Sequence, residues 1–342
     1  MRVFCISTGR NWNILRLDDV FSKLSIDFFH GILEYYDKTR SLWEITAARL
    51  AHTNVEQFFR KQDVERLLGE AKKFSPDKIL IINPNFDEPT IDSFLKIAPV
   101  SVWFIDSVVG LEDPQRFKKT SVFAYDRRSV QYLQEAHIVA EYVPVGANSA
   151  YAECKPAKKE IDVSFVGSPY KHRLKILKEV ARAAEKKSWR FKVYAPVFKT
   201  KMLTIFKIFS FKWRYRGLYG CLENGALSPK DAAVVYARSK ICLNIHDQYN
   251  LGVNPRAFEI LTAGSFQLMD KRDDYDILTP GKDIAVYENT EDLTEKIIYY
   301  LEHEEERERI AAQGKKSASL RTMENSMQQV LHLNIALDTF GY

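Results

Sequence analysis

Strand-like apolar runs alternate with helix-like segments along the whole chain, and this alternation predicts parallel sheets covered by helices. The alternation occurs in two series, and the small, polar and charged residues 147–159 between them predict a linker. A chain of 342 residues is long enough for two domains. We therefore expect an α/β protein with two doubly wound domains, in which ligands bind beyond the carboxyl ends of the strands.

The predicted domains are residues 1–147 and 148–320, and the final helix, within residues 321–342, is expected to pack back on the first domain. The predicted strands of the first series are residues 2–7, 78–82, 100–105, 121–124 and 140–143, and its predicted helices are residues 18–36, 43–74 and 127–136. The predicted strands of the second series are residues 162–166, 190–194, 241–245, 265–269 and 284–287. Its predicted helices are residues 171–187, 228–238, 255–263, 290–302, 304–316 and 323–337.

The segment from Asn254 to Gly264 combines a helix start with two charged side chains. Asn254 is a good N-cap, and proline at the next position suits the first helical turn. The free N–H groups of this turn and the planar fork of Arg256 suit phosphate oxygens. Glu259, one turn further on, can accept hydrogen bonds from the two hydroxyls of a ribose, with Phe258 beside it. The segment predicts a nucleotide-diphosphate site, although a capped amphipathic helix with a surface ion pair is the alternative.

Other polar residues follow the predicted strands of the second series. Gly167 allows close approach of a ligand to the backbone, Ser168 follows it, and Arg173 can reach a phosphate from the next helix. Asn244 ends an apolar strand, where an amide needs partners. His246 is a candidate donor to a phosphate or a base, or else a structural histidine.

In the first series, Asp106 ends the apolar run 102–105 and is the candidate catalytic residue. A carboxylate there could orient a sugar hydroxyl or act as a base on an acceptor, and a turn or N-cap role is the alternative. The only D-x-D sequence, from Asp274 to Asp276, lies in a charged segment and is expected at the surface. We therefore expect no metal and no cofactor, with cations and a helix terminus stabilising a leaving diphosphate.

Composition excludes several classes of protein. The hydrophobic fraction of 46% and charged fraction of 28% are typical of globular domains. The net charge of +5 does not indicate a nucleic-acid partner, and the four scattered cysteines argue against a zinc site. Cys5 and Cys242 lie in apolar strands and are expected to be buried thiols. Neither a signal peptide nor a membrane-spanning run is recognisable, so a cytoplasmic protein is expected.

One stretch has a different character, because no acidic residue occurs between Lys186 and Leu222. From Phe198 to Tyr219, lysines and arginines are interleaved with Phe, Ile, Leu, Met and Trp. This composition is typical of an interfacial helix on anionic lipid, at the inner face of a membrane. The alternatives are an ordinary domain helix or a basic edge of the donor site.

Together these residues resemble a known family. The chain resembles the C-terminal half of the CgeB-like (spore maturation protein) glycosyltransferases in four segments. These are residues 243–246, the Asn-Pro-Arg-Ala-Phe-Glu run starting at Asn254, the pair ending at Gly264 and residues 278–283. Residues 165–168 with Arg173 fit the start of that domain. The resemblance covers about residues 161–316.

The resemblance implies the GT-B fold, with two Rossmann-like domains facing a central cleft and a group 1-type C-terminal domain that holds a nucleotide-sugar donor. It implies that Glu259 contacts the donor ribose, as the second glutamate of the Glu-x7-Glu motif of related retaining transferases. Leu251 stands where that motif has its first glutamate, which is a departure from the family pattern. Asp106 resembles the acidic residue that faces the transferred sugar.

The expected function is transfer of a sugar from a nucleotide diphosphate-sugar to a glycan or lipid-linked acceptor, without a metal and with retention. The alternatives are a nucleotide-sugar epimerase on the same fold and a non-enzymatic sugar- or nucleotide-binding protein. An epimerase would turn over without an acceptor, whereas a binding protein would not turn over at all.

Overall fold

The structure is a computed structural model that describes residues 1–9, 11, 15–34, 46, 55–155, 157–198, 204–247 and 252–332, with the backbone alone for residues 55–58 and 204–207. The described residues divide into two compact units. The first contains those of Met1–Val145 and Met323–Tyr342, and the second is Gly146–Thr322. Among the described helices, none is both long and apolar enough to cross a lipid bilayer.

The first unit contains one parallel six-stranded sheet. Its strands are β1 (Arg2–Ser7), β2 (Asp27–Ile32), β3 (Lys78–Ile82), β4 (Val100–Phe104), β5 (Ser121–Ala124) and β6 (Ala140–Tyr142). Its helices are α1 (Leu17–Lys23), α2 (Val55–Phe74), α3 (Glu88–Leu95) and α4 (Arg127–Glu135), with a 3-10 turn at Pro114–Phe117. The strand order is β2-β1-β3-β4-β5-β6, so the order reverses between β1 and β3.

One prediction in this unit is wrong, because residues 27–32 form the edge strand β2 and not part of a helix. The helical segment ends where Ser25 takes a left-handed conformation with a φ of 54°. The strand then pairs in parallel with β1, and the ring of Phe29 stacks on that of Phe4 with centroids 5.3 Å apart. A Cβ on Gly31 would lie 2.7 Å from Leu67, so only glycine allows this approach. The predicted helical residues 35–36 and most of 43–54 lie outside the described residues.

The second unit is a second parallel six-stranded sheet. Its strands are β7 (Ile161–Val166), β8 (Phe191–Ala195), β9 (Leu222–Asn224), β10 (Ser239–Asn244), β11 (Gln267–Asp270) and β12 (Ala285–Tyr287). Its helices are α5 (Lys171–Lys187), α6 (Thr204–Arg214), α7 (Arg216–Cys221), α8 (Pro229–Ala237), α9 (Pro255–Thr262), α10 (Thr290–Glu302) and α11 (Glu304–Ala318).

The strand order of this sheet is β12-β11-β10-β7-β8-β9, which is the doubly wound order of dinucleotide-binding domains. The order reverses between β7 and β10, and ligands of such sheets bind beyond the carboxyl ends of the two strands at that point. The core beneath this edge is formed by apolar residues of β7, β10 and α5. They include the fully buried Val163, Phe165 and Leu177. A ligand of this sheet is therefore expected beside the residues that follow β7 and β10.

The last described helix, α12 (Met323–Val330), belongs to the first unit. Met323, Met327 and Val330 are buried in the core that β1, β3 and β4 share. The hydroxyl of Ser101 on β4 donates to the carbonyl of Val330 over 3.0 Å. The chain thus returns to the first unit after the second one is complete. The predicted helical residues 333–337 lie outside the described residues.

Candidate functional site

The start of α9 is tied to the end of β10 by a pair of asparagines. Asn254 caps the helix, because its side-chain oxygen accepts from the Ala257 N–H over 3.2 Å. The amides of Asn244 and Asn254 also bond to each other in both directions, each over 3.0 Å. Asn244 further donates to the side-chain oxygen of Gln267 over 3.0 Å. Both asparagines are buried, so they fix the direction in which the N-terminus of α9 points.

His246 completes this support. Its Nε2 accepts from the Asn254 backbone N–H over 3.1 Å, so the ring proton is on Nδ1, which donates to Asp270 over 2.7 Å. Burial lowers the pKa of His246, and the Asp270 carboxylate opposes this shift. Arg272 donates to the same carboxylate over 2.6 Å. Both ring nitrogens are bonded inside the protein, so His246 positions the helix, as in the structural alternative. The donor contacts predicted for His246 and Asn244 stay predictions.

This arrangement makes the stability of the protein depend on pH. Because the folded-state pKa of His246 lies below its ordinary 6.5, the unfolded chain binds this proton more readily. The contribution is therefore fully present above pH 6.5 and is lost as the pH falls through the folded-state pKa, with a slope of at most about 1.4 kcal/mol per pH unit. We expect urea unfolding of His246→Gln to show a shallower acid dependence than the unsubstituted protein.

His137→Asn is the matched control, because His137 is exposed and its left-handed backbone, with a φ of 58°, also suits asparagine. This control should keep the original pH dependence. An identical slope for His246→Gln and the unsubstituted protein would show that His246 is not the group responsible.

Two guanidinium groups lie beside the turn that follows β7. The Cζ atoms of Arg173 and Arg256 lie 6.0 and 5.9 Å from the ring centroid of the buried Phe165. A Cβ on Gly167 would lie 3.0 Å from Nη2 of Arg256, so glycine gives this side chain its place. Arg173, itself buried, donates from Nη1 to the Ser168 carbonyl over 3.2 Å.

Each of these two cations has one donor without a partner, although Arg173 donates to the Ser168 carbonyl and Arg256 hydrogen-bonds to the Tyr236 hydroxyl. The Nε atoms of Arg173 and Arg256 are both buried without a hydrogen-bond partner. Burial, and then the charge of Arg256, lowers the pKa of Arg173 to about 10, so Arg173 is charged at neutral pH. Two neighbouring positive charges with unused donors favour a multiply charged anion, and the N-terminus of α9 adds its partial positive charge.

Glu259 lies one turn along α9 from Arg256, and two tyrosines surround it. The Tyr151 hydroxyl hydrogen-bonds to its carboxylate. Tyr236 stacks on Tyr151 with ring centroids 6.2 Å apart. Burial raises the pKa of Glu259, and the charge of Arg256 and the Tyr151 hydroxyl oppose this shift. Tyr151 was missed because it lies in the predicted linker, where a 3-10 turn, Ser149–Tyr151, brings it to the helix.

Two of the predicted binding residues do not belong to this group. Phe258 is 1% exposed and packs in the core with Leu261 and Met269. Gly264 follows the other end of α9, where it takes a φ of 73° with Lys315 beside it. An eight-residue helix is about 12 Å long, so Gly264 is far from the N-terminal turn. Both residues shape the helix, and the direct binding role predicted for them stays a prediction.

Asp106 belongs to the first unit, where it follows β4 and is exposed. The amide of Asn83 donates to its carboxylate over 2.7 Å, and the Asn83 side-chain oxygen accepts from the Ile105 N–H over 2.8 Å. Asn83 takes a left-handed conformation after β3 to make both bonds. The predicted catalytic role of Asp106 stays a prediction.

The D-x-D sequence is not simply a surface feature as predicted. The side chain of Asp276 is enclosed, and Arg321 holds its carboxylate through two bonds of 2.6 and 2.9 Å. Nowhere in the described ranges do three His, Cys, Asp or Glu side chains form a group that could hold a metal ion. Cys5 and Cys242 are buried thiols, as predicted.

Two doubly wound, parallel six-stranded units are the architecture of the GT-B fold. Residues 156–332 match the sequence family described as glycosyl transferase-like. Because the match covers more than half of the chain, the chain belongs to the glycosyl transferase-like family and is a glycosyltransferase, as predicted.

Particular proteins are similar over most of their length. Over 308 residues, covering 83% of this chain and 89% of the other, the sequence is 22% identical to spore protein CgeB of Bacillus subtilis (strain 168). HepE of Anabaena in complex with UDP-glucose superimposes with a TM-score of 0.67 at 13% identity, covering 97% of this chain and 98% of that one. The α,α-trehalose-phosphate synthase (UDP-forming) of Burkholderia vietnamiensis gives a TM-score of 0.67 at 11% identity, with the same coverage.

Proposed function

We propose that this glycosyltransferase takes its sugar from a nucleoside diphosphate-sugar that is bound at the start of α9. The observation that carries the proposal is the pair of arginines, Arg173 and Arg256, with unpaired buried Nε atoms beside Phe165 and Gly167. In this proposal the two guanidinium groups and the α9 N-terminus hold the diphosphate. Glu259 accepts from the ribose hydroxyls. HepE, solved with UDP-glucose, makes UDP the first nucleotide to test.

The proposed reaction needs no metal ion. The bond between the anomeric carbon and the β-phosphate oxygen breaks, and the leaving diphosphate keeps the electron pair. The acceptor oxygen bonds to the anomeric carbon from the face that the diphosphate leaves, and its proton goes to the leaving diphosphate oxygen. Asp106 is the proposed orienting group; if it acted as the base in a direct displacement, the product would be inverted. Arg173 and Arg256 stabilise the charge that develops on the diphosphate. Full activity in excess chelator would support this account, and loss of activity that Mg²⁺ restores would contradict it.

The proposed acceptor is a glycan or a lipid-linked sugar, and the proposed stereochemical outcome is retention. Leu251, which replaces the first glutamate of the Glu-x7-Glu motif, lies outside the described residues. Glu259 supports the retaining assignment, because it is the residue of that motif present here. Proton NMR of the product tests the assignment, since the anomeric coupling constant distinguishes retention from inversion. The expectation of a cytoplasmic enzyme stays a prediction.

Calorimetry of the full chain with UDP, GDP, ADP and CDP tests the function directly. We expect one of these nucleotides to bind, and the corresponding nucleotide-sugar to release that nucleotide only when an acceptor is present. Conversion of the sugar without an acceptor would identify an epimerase. Binding with no turnover of any kind would identify a binding protein, and no binding of any nucleotide would refute the proposed donor site.

Gly167→Ala tests the close approach at the turn. Its Cβ would lie 3.1 Å from both the Arg256 Cζ and a Phe165 ring carbon, so the flexible Arg256 side chain must shift. Displacements of about 1 Å in a binding group cost up to ~100-fold, and we expect the smaller shift here to weaken nucleotide binding about tenfold. Gly69→Ala is the control, because nothing lies within 4 Å of its Cβ position. If Gly167→Ala bound the nucleotide with unchanged affinity, Gly167 would serve only to turn the chain after β7.

A further inference from the structure

Two aromatic side chains protrude from α6, on the side away from the core of the second unit. Phe209 is 75% exposed and Trp213 is 84% exposed. Residues four positions apart lie on the same face of a helix. Phe211 between them points the other way, is 8% exposed, and contacts Phe198 and Tyr215 with ring centroids 5.4 and 4.8 Å away. The helix is therefore anchored by one face and presents two large apolar side chains to solvent on the other.

Positive charge surrounds these aromatic side chains. Lys212, Arg214 and Arg216 are all exposed, and Lys212 Nζ lies 4.6 Å from the ring centroid of Tyr219. Arg214, Arg216 and Trp213 also line a groove of about 950 Å³ against α5. That helix contributes Lys178 and Arg182 to the groove lining, together with one carboxylate, Glu185.

The acidic groups nearby do not cancel this charge. Glu179 pairs with Arg182 over 2.8 Å, and Glu223 pairs with Lys192 over 2.6 Å. Glu185 is the carboxylate that faces the groove, against Lys178, Arg214 and Arg216 in addition to the paired Arg182. In the sequence, no acidic residue occurs from Lys186 to Leu222. The surface therefore complements an anionic partner that also offers an apolar layer.

We propose that this surface, formed by Phe209, Lys212, Trp213, Arg214 and Arg216, docks the protein on an anionic lipid bilayer. Phe209 and Trp213 enter the interfacial layer, and the three cations lie at the level of the lipid phosphates. Exposed aromatic side chains with flanking cations are the arrangement of helices that lie on a bilayer without crossing it. The proposal does not depend on the identity of the donor, because the surface is distinct from the start of α9.

The test is sedimentation of the full chain, without nucleotide, with vesicles of phosphatidylcholine alone or with about 30% phosphatidylglycerol. We expect binding to the anionic vesicles that is lost in about 0.5 M NaCl, where screening is strong. Each cation near an anionic surface contributes a factor of about five, so Arg214→Glu/Arg216→Glu should weaken binding at least ~25-fold. Lys72→Glu/Lys73→Glu is the control with the same change in charge, made at two exposed lysines of the first unit.

The aromatic side chains are tested separately. Phe209→Ser/Trp213→Ser should weaken vesicle binding at least about tenfold, whereas Val139→Ser, at an 87% exposed valine, should have no effect. Both aromatic side chains are exposed, so the double substitution is expected to leave the unfolding temperature unchanged. Tryptophan emission should shift to shorter wavelength on anionic vesicles and be quenched by brominated lipid, and Trp213→Phe should abolish both effects.

Absence of binding to anionic vesicles at low salt would overturn the proposal, as would equal binding by all variants. Binding to single-stranded DNA with none to vesicles would assign the surface to nucleic acid instead. Salt-independent binding to phosphatidylcholine alone would also contradict it, because the cations would then have no part.

Discussion

Arg256→Ala is expected to weaken UDP binding about 100-fold. Hydrogen bonds to a charged group contribute about 1.5–3 kcal/mol each, and two of them lost together correspond to at least ~100-fold in affinity. Arg256 is the group best placed for such bonds, because its buried Nε has no partner within the protein and its guanidinium lies over the Gly167 turn. Calorimetric titration of the full chain with UDP measures the effect.

Two further variants make this result specific. Arg256→Lys keeps the charge but loses the planar fork, so its affinity should fall between those of the unsubstituted protein and Arg256→Ala. Arg182→Ala is the matched control, because Arg182 lies on the exposed face of α5 and pairs with Glu179. Equal UDP affinity in Arg256→Ala and Arg182→Ala would show that α9 is a structural helix with no role in binding.

Glu259→Ala is expected to weaken UDP binding about 10- to 100-fold through loss of the ribose contact, the range of one hydrogen bond to a charged group. Measuring UDP and 2′-deoxy-UDP with both the unsubstituted protein and Glu259→Ala separates this contact from any indirect effect of the substitution. In the unsubstituted protein the missing hydroxyl should cost at least about tenfold, and in Glu259→Ala it should cost nothing. An equal penalty for 2′-deoxy-UDP in both proteins would place the ribose elsewhere.

Glu259→Gln adds an independent test, because its UDP affinity and its stability are expected to change in different directions. Burial raises the folded-state pKa of Glu259 above its ordinary 4.5, so this group favours the folded state below pH 4.5 and loses that contribution as the pH rises through the raised pKa. Glutamine keeps an acceptor for Tyr151 but carries no charge. We therefore expect Glu259→Gln to bind UDP weakly and yet to be at least as stable as the unsubstituted protein at neutral pH. Lower stability with unchanged affinity would mark Glu259 as structural.

Local signals in the sequence predicted much of the fold and of the candidate site. The Asn254-Pro255 helix start depends on neighbouring residues only, and the structure has the cap and the helix as predicted. The same is true of α5, which begins and ends at the predicted residues, and of the strand Lys78–Ile82. The alternating pattern indicates the parallel sheet, and the structure shows that Arg173 and Arg256 come together because they follow its neighbouring strands β7 and β10.

The predictions that were wrong depended on contacts distant in sequence. The edge strand β2 forms because Gly31 allows close contact with Leu67 and Phe4, and no local pattern indicates this contact. Asp270, 24 residues after His246, holds the histidine ring, which is another contact that no local pattern indicates. The charged segment around Asp276 hides a carboxylate because Arg321, 45 residues away, encloses it.

A crystal structure of the full chain with bound UDP tests the central claim most directly. We expect the diphosphate within hydrogen-bonding distance of the Arg173 and Arg256 guanidinium groups and of the backbone N–H groups at the start of α9. The ribose hydroxyls should bond to the Glu259 carboxylate. UDP bound with its diphosphate away from both arginines, or with its ribose away from Glu259, would contradict the account.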